Sequence, residues 1–521
     1  MIKHRFTHIL VIIILLVSSY AINSAAGQSP QVTSSIIYVD LEAIGNNDGT
    51  SWTDAYTDLQ PALETAASGD QIWVAAGTYY PSVEHCGTGE RYKSFQLKNG
   101  VGLYGGFDPS TGDIGWSDRD WEGNATILSG DIGLPGDNSD NSHHVFCHPE
   151  GLNLDSSAVL DGFVIQDGNA NPYYFPEGMG AGMFNYYSSS LGGGGMYNQS
   201  SSPILTNVTI SNTNGVGMVN ADSSPTLINV TFSNNNGGGM LNGGGSPTLI
   251  NVSFSNNSTY DDGGGIYNQS SSPILFNVTF SNNHAYDLGG GMYNRMSSSP
   301  TLTNVTFSGN VADDGGGVYN DSSSPTLANV TFAGNTAMGH GGGMHNENSS
   351  SPTLTNVTFS GNTAGWAGGL YNNSFSFPTL LNVTFSGNTG ISYIGGIRSE
   401  SGSWPILTNC IMWGDTPGAE IDGDATVTYS DIQGSFTGEG NIDADPLLGI
   451  LANNSGPTLT HALLEGSPAI DAGSPTTCPP FDQRGLTRPI DGDGDGNAVC
   501  DMGSYEYRLV TAWLYLALIV K

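Results

Sequence analysis

The sequence predicts an all-β parallel β-helix, a coil of stacked rungs, on three observations. The first is a period. Pro203, Pro225, Pro247, Pro273, Pro300, Pro325, Pro352, Pro378 and Pro405 recur with a mean spacing of about 25 residues. Self-similarity at that period belongs to a solenoid whose units bury their apolar faces only against neighbours. The second is that each unit holds three short alternating segments, which in Ser299 to Ser323 lie around Leu302, around Val305 and Phe307, and around Val318. The third is a set of three asparagine columns, represented in that unit by Asn304, Asn310 and Asn320. Asparagine accepts left-handed backbone and bonds its own chain at bends, so three columns predict three corners with amides stacked from rung to rung. The string L-x-x-V-x-F-x-x-N also fits a leucine-rich repeat. The rest of the unit, GGGVYNDSSS, argues against it, being made of poor helix formers with no 3.6-residue apolar period.

Taken in order, residues 1–27 read as a secretory signal: Lys3, His4 and Arg5 precede the apolar run Ile9 to Val17 and the small residues Ser24-Ala25-Ala26. Residues 36–150 are expected to cap the coil and supply its first rungs, since an uncapped rung would expose an unpaired strand edge. One short helix is expected at Pro61 to Ala67, followed by a strand at Gln71 to Ala75. The repeats occupy 151–413. Residues 414–507 are assigned to the final rungs and a small C-terminal domain, and 508–521 to an apolar tail. Leu509 to Val520 is too short for a spanning helix, so no transmembrane span is expected in the mature chain; a closing strand and a removable sorting signal both fit it. Five cysteines in an exported chain allow at most two bridges: Cys478 is expected to pair with Cys500, and the sequence leaves open whether Cys86 pairs with Cys147. Cys410 falls where other units carry Val and reads as a buried small apolar residue.

Composition narrows the function. With 47 Asp and Glu against 12 Lys and Arg, the net charge is −35, and so few bases cannot neutralise nucleic-acid phosphates or anionic lipid. The 74 glycines stand beside 37% apolar residues, too many for a collagen or a disordered linker.

Between the second asparagine column and the glycine run lies a segment that lengthens along the chain, and such loops stack on one edge of a solenoid. This edge carries Asp262, Asp287, Asp314, His340, Trp366 and Tyr393, and the insert 170–192 adds Tyr173, Tyr174, Glu177 and Tyr186 at the same point of the preceding unit. Aromatic rings beside carboxylates are what saccharide stacking or Ca²⁺ bridging uses; solvated loops covering the coil are the plainer reading. Near the C-terminus, Asp491, Asp493, Asp495 and Asn497 place oxygens at positions 1, 3, 5 and 7 of an EF-hand-like loop with Gly496 at position 6. Position 12 is Met502 with Asp501 adjacent, and the flanks form no helix, so a structural Ca²⁺ loop is expected rather than a sensor. The N-V-T/S strings match the glycosylation sequon at eight rungs, a match that rung geometry alone would produce. No catalytic residues are assigned. Arg295 and Arg398 are the only bases within the repeats and lie on separate rungs, and no histidine cluster with metal spacing is visible.

The strings Tyr38 to Trp52 and Leu59 to Tyr79, with the repeats, resemble secreted bacterial proteins carrying right-handed parallel β-helix repeats. Gly456 to Gly473 and Asp482 to Tyr507 are similar to the choice-of-anchor Q domain. The F-x-x-N and glycine-rich strings also resemble repeats of polymorphic outer-membrane adhesins, although the residues after Tyr507 cannot supply a barrel translocator. Pectate-lyase-like folds carry similar repeats, but their catalytic residues find no matching positions here. These resemblances imply a secreted or cell-surface protein with adhesion-like roles; the expectation is a monomer that binds extracellular polysaccharide or a host or neighbouring cell surface, with catalysis on polysaccharide and a purely structural surface role as the rivals.

Overall fold

The computed structural model describes residues 34–112, 114–170 and 193–509. The expected signal segment, the insert residues Tyr173, Tyr174, Glu177 and Tyr186, and the apolar tail beyond Leu509 lie outside the described residues.

The chain winds as a parallel β-helix. In the unit chosen above, the strands are Thr301–Thr303, Thr306–Ser308 and Val318–Asp321, each pairing in parallel with its counterpart one rung on. The first and second columns merge into a 24-stranded sheet, and the third forms an 11-stranded sheet. A fourth side appears where the variable segment lengthens. Two-residue strands from Ser258–Thr259 to Thr389–Gly390 make a six-stranded ladder, because the added residues pair with their neighbours instead of looping into solvent.

The core is a set of like-on-like columns. Leu302, Val305, Phe307 and Val318 are all buried. Phe232, Phe254, Phe280, Phe307, Phe332, Phe359 and Phe385 stack with centroids 4.6–4.9 Å apart and nearly parallel planes, which is the strand spacing expressed in rings. The glycine runs follow from that stack. A Cβ at Gly291 would sit 2.6 Å from the Gly317 carbonyl oxygen and 2.7 Å from the Phe307 ring, so bare backbone must face the phenylalanines.

Of the three asparagine columns only one is a corner. Asn207, Asn229, Asn251, Asn277, Asn304, Asn329, Asn356, Asn382 and Asn409 hold φ of 52–58°. From Asn229 to Asn356 each side-chain amide donates to the previous rung's amide oxygen at 3.0–3.3 Å. Those N-V-T/S nitrogens are therefore already engaged in the ladder. The second column, Asn235 to Asn388, is buried, and its bend is taken by the preceding residue, such as Asn282 or Gly309. The third, Asn198 to Asn372, lies inside the third strand. Both inner columns run as amide ladders in the opposite sense to the corner column, donating toward the C-terminus at 2.9–3.0 Å.

The cap contains the helix Leu59–Thr65, begun two residues before the expected Pro61 because the Asp58 side chain accepts from Gln60 N–H, and the strand Gln71–Ala75. Disulfides join Cys86 to Cys147 and Cys478 to Cys500, and Cys410 is free and buried; burial pushes its thiol up to about 12. After the hairpin Leu448–Ala452 and Thr460–Leu463, the C-terminal segment packs on the outside of the second column. Gln483 donates to Thr331 and accepts from Thr358, while Asn382 donates to the Asp501 and Gly503 carbonyls. No helix among the described residues is long and apolar enough to cross a membrane.

The ladders predict an asymmetry in stability. Asn310→Ala strands the Asn283 amide and the Phe280 carbonyl in a dry core and should cost about 2–5 kcal/mol. Asn304→Gly, at a half-buried left-handed corner, should cost under about 1 kcal/mol. Denaturant unfolding of the two variants measures the difference.

Candidate functional site

The third sheet presents one outward column in strict register: Tyr267, Tyr293, Tyr319, His345, Tyr371, Arg398 and Asp422. The rings are covered by the variable edge, so Tyr267, Tyr293, Tyr319, His345 and Tyr371 are buried although they point away from the core. Strand alternation is the cause: in M-Y-N the Met and Asn face inward and the Tyr outward.

Where the edge meets this column, polar groups converge. Asp314 Oδ1 accepts from the His340 backbone N–H at 2.6 Å and lies 2.9 Å from His340 Nδ1. His345 Nδ1 is 4.0 Å from Asp314 Oδ2. The His340 ring centroid lies 4.5 Å from Tyr371 and 5.2 Å from Trp366. Trp366 packs on Tyr393 at 4.4 Å, and the Arg398 guanidinium lies over both rings, at 4.7 and 4.4 Å. Glu400 holds Arg398 and accepts from the Tyr371 hydroxyl at 2.7 Å, while the other side of Arg398 meets Asp422 at 2.8 Å.

The charges respond to this packing. Burial drives His345 down to about 3, so its ring is neutral. The hydrogen bond with Asp314 holds His340 above its ordinary value. Burial alone would raise Asp314, but His340 and His345 outweigh it and bring the carboxyl below its usual range.

The expected ligand-binding residues divide into two groups. Asp314, His340, Trp366 and Tyr393 come together. Asp262 and Asp287 lie further along the same edge, beside the exposed, stacked pair Tyr260 and Tyr286, whose centroids are 4.7 Å apart. Asp262 accepts from Leu288 N–H, and burial raises it to about 7. His345, Tyr371, Arg398 and Glu400 were not among the expected residues. The signal for His345 was a histidine standing in a tyrosine column. Arg398, which the sequence shows only as a base rungs away from Arg295, has Trp366 and Tyr393 as its working neighbours.

At the C-terminal loop, oxygens of Asp471, Asp491 and Asp493 approach within 4.8 Å of one another. Asp471 was not foreseen, because it lies twenty residues upstream of the acidic string. Three of the expected ligands stay out of this group. Asp495 is occupied by Asn497, whose backbone and side-chain N–H groups donate to it. Asp501 is buried, accepts from Asp471 and Tyr507 N–H, and is raised to about 8 by burial and by Glu506. Its role is internal because Met502 is anchored in the apolar cluster with Ile411 and Leu463. A separate open groove of about 700 Å³ at the cap is lined by Asp40, Trp52, Phe107 and Asp108, with no Lys, Arg or His among the described residues that line it.

A family model described as a right handed beta helix region matches residues 194–364 and again 267–437; the matches overlap because a model of a repeat can slide by whole rungs. Among solved structures, pectate lyase Pel9A is 13% identical over 91% of this chain and 97% of its own, with a TM-score of 0.39. A rhamnogalacturonan lyase is 13% identical over 83% and 96%, at 0.37. The A-module of the Azotobacter vinelandii mannuronan C-5 epimerase AlgE4 is 16% identical over 78% and 100%, at 0.35. No curated protein matches in sequence.

Asp262 carries a pH prediction. Its folded value near 7 lies above its unfolded value near 3.8, so the native state holds the proton more tightly and stability falls as pH rises from about 4 to about 7. Asp262→Asn should remove that part of the fall, read as a flatter melting temperature against pH.

Proposed function

We propose that this right-handed parallel β-helix protein is exported and binds an extended extracellular carbohydrate along its variable edge, without cleaving it. The observation that carries the reading is the pair of aromatic platforms on that edge, Tyr260 with Tyr286 and Trp366 with Tyr393, with the carboxylates of Asp262, Asp287 and Asp314 near them. From the Tyr260 rung to the Tyr393 rung is five rungs, or about 24 Å, room for several sugar residues in line. Flat rings offer faces for sugar C–H surfaces, and carboxylates accept from hydroxyls. Arg398, stacked on Trp366 and Tyr393, supplies a cationic counterpart for an acidic sugar. Two disulfides support export, since such bonds persist in oxidising compartments. The choice-of-anchor Q reading of the C-terminal segment belongs to the same proposal and makes the protein surface-associated.

The experiment is affinity electrophoresis or calorimetry against neutral and acidic glycans. Trp366→Ala and Tyr260→Ala should each weaken binding about tenfold, the equivalent of roughly 1.4 kcal/mol for one lost stacking face. Release of unsaturated or reducing sugar would overturn the reading in favour of a lyase or hydrolase. Wild-type affinity in both variants would place the ligand elsewhere.

For Ca²⁺ we propose a structural role at Asp471, Asp491 and Asp493. Their oxygens are already oriented by backbone N–H groups: Asp491 accepts from Gly494 and Gly496, and Asp471 from Gly492, Asp493 and Val499. That preorganised set suits a hard, oxygen-seeking cation. Ca²⁺ added to the metal-free protein should raise the melting temperature of the wild type and leave Asp493→Ala unmoved; equal melting of the wild type with and without Ca²⁺ would dismiss the ion.

A further inference from the structure

We propose that Asp314, His340 and His345 form a binding site for a divalent first-row transition metal ion of the zinc class, with two imidazole nitrogens and one carboxylate oxygen as ligands. Their donor atoms all lie within 4.8 Å of one another. Donors held at about 2.0–2.1 Å from a tetrahedral zinc stand about 3.4 Å apart. The observed separations of 2.9 Å for Asp314 to His340 and 4.0 Å for Asp314 to His345 bracket that value, so small side-chain rotations bring the three onto one ion.

A second observation, independent of this proximity, points to a ligand. His345 is buried, and neither ring nitrogen has a hydrogen-bond partner. A neutral imidazole left in that state pays the desolvation of both nitrogens with no return, and its Nδ1 faces Asp314. Coordination relieves that nitrogen. The histidine also interrupts a run of tyrosines: the same register position is Tyr293 and Tyr319 in the two preceding rungs and Tyr371 in the next, and the imidazole packs between the rings of Tyr319 and Tyr371. Between Tyr267 and Tyr371 the column thus departs from tyrosine only at the rung where His340 on the adjoining edge and Asp314 one rung below converge on it.

The donor set decides the class of ion. Imidazole nitrogens suit zinc and its late first-row neighbours, whereas Ca²⁺ seeks six to eight oxygens. Three protein ligands leave at least one position open. Asp314 and His340 keep 22% and 30% of their side chains exposed, so that position faces solvent at the end of the platform made by Trp366 and Tyr393.

The proposal does not rest on the carbohydrate reading, and its test contains no glycan. The full chain, stripped with chelator, is titrated with Zn²⁺ by calorimetry and with Co²⁺ by visible absorption. The wild type should take up one ion that His345→Tyr and His340→Gln both lose, with Asp493→Ala retaining it. His345→Tyr restores the residue of the neighbouring rungs, so its melting temperature in the absence of metal should match the wild type and separate lost ligation from lost folding. Absence of stoichiometric uptake by the wild type, or full uptake by His345→Tyr, would overturn the assignment.

Discussion

A buried asparagine amide needs two acceptors for its N–H groups and a donor for its oxygen, and in a dry coil the asparagines one rung either side, with a strand carbonyl, offer them at every level. That reciprocity governs the molecule. Each amide of the second column, such as Asn310, donates to the next asparagine, here Asn335, and to a carbonyl, here Phe280, and its own oxygen accepts from the previous one, Asn283. A slip of one residue in register would break every link at once, replacing satisfied amides with unsatisfied ones in a medium where each costs kilocalories. The phenylalanine stack and the glycine runs facing it hold the same register by shape.

Ladders must also end, and the ends show how the constraint is discharged. The third-column ladder begins at His148, whose Nδ1 lies 2.7 Å from the Asn198 oxygen, and stops at Ser399. The second-column ladder begins at Thr213 and stops at Asp415, whose carboxylate receives both the backbone and side-chain N–H of Asn388. Asp415 and Glu420 lie buried together, and burial raises both, so that the terminus carries less charge than two free carboxylates would. Because the interior is specified column by column, the outward positions of the third sheet and the residues of the variable edge pack on one another without carrying the rung register. The polar cluster around Asp314 occupies that surface.

Much of the fold was legible because its causes are periodic. The prolines, the L-x-x-V-x-F string and the glycine runs repeat whatever defines a rung. The asparagine corners were read too generously: Asn310 and Asn320 bond sideways to the next rung rather than bending their own chain, and one sequence cannot show which way an amide faces. The helix start was missed because Asp58 acts through a side-chain cap that no periodicity signals. Within the candidate site, the loop residues Asp314, His340, Trp366 and Tyr393 were legible as an edge. His345 and Arg398 were not, since their relevance depends on a strand face meeting that edge. Asp501 illustrates the reverse error. Adjacency in sequence placed it with the acidic loop, while the burial of Met502 turns its carboxylate toward backbone N–H groups inside the segment.

By itself the sequence determined the coil, its period, its acidic character and the side of the rung on which variation collects, because each follows from residue types recurring at fixed intervals. The tertiary structure alone decided which residues from different rungs share a surface: Asp314 with His340 and His345, Arg398 with Trp366, Asp471 with Asp491. The physical reason is that rung stacking sets neighbours about 25 residues apart in the chain at one strand spacing in space, and the identity of those neighbours depends on registry and side-chain direction, which a linear string does not carry.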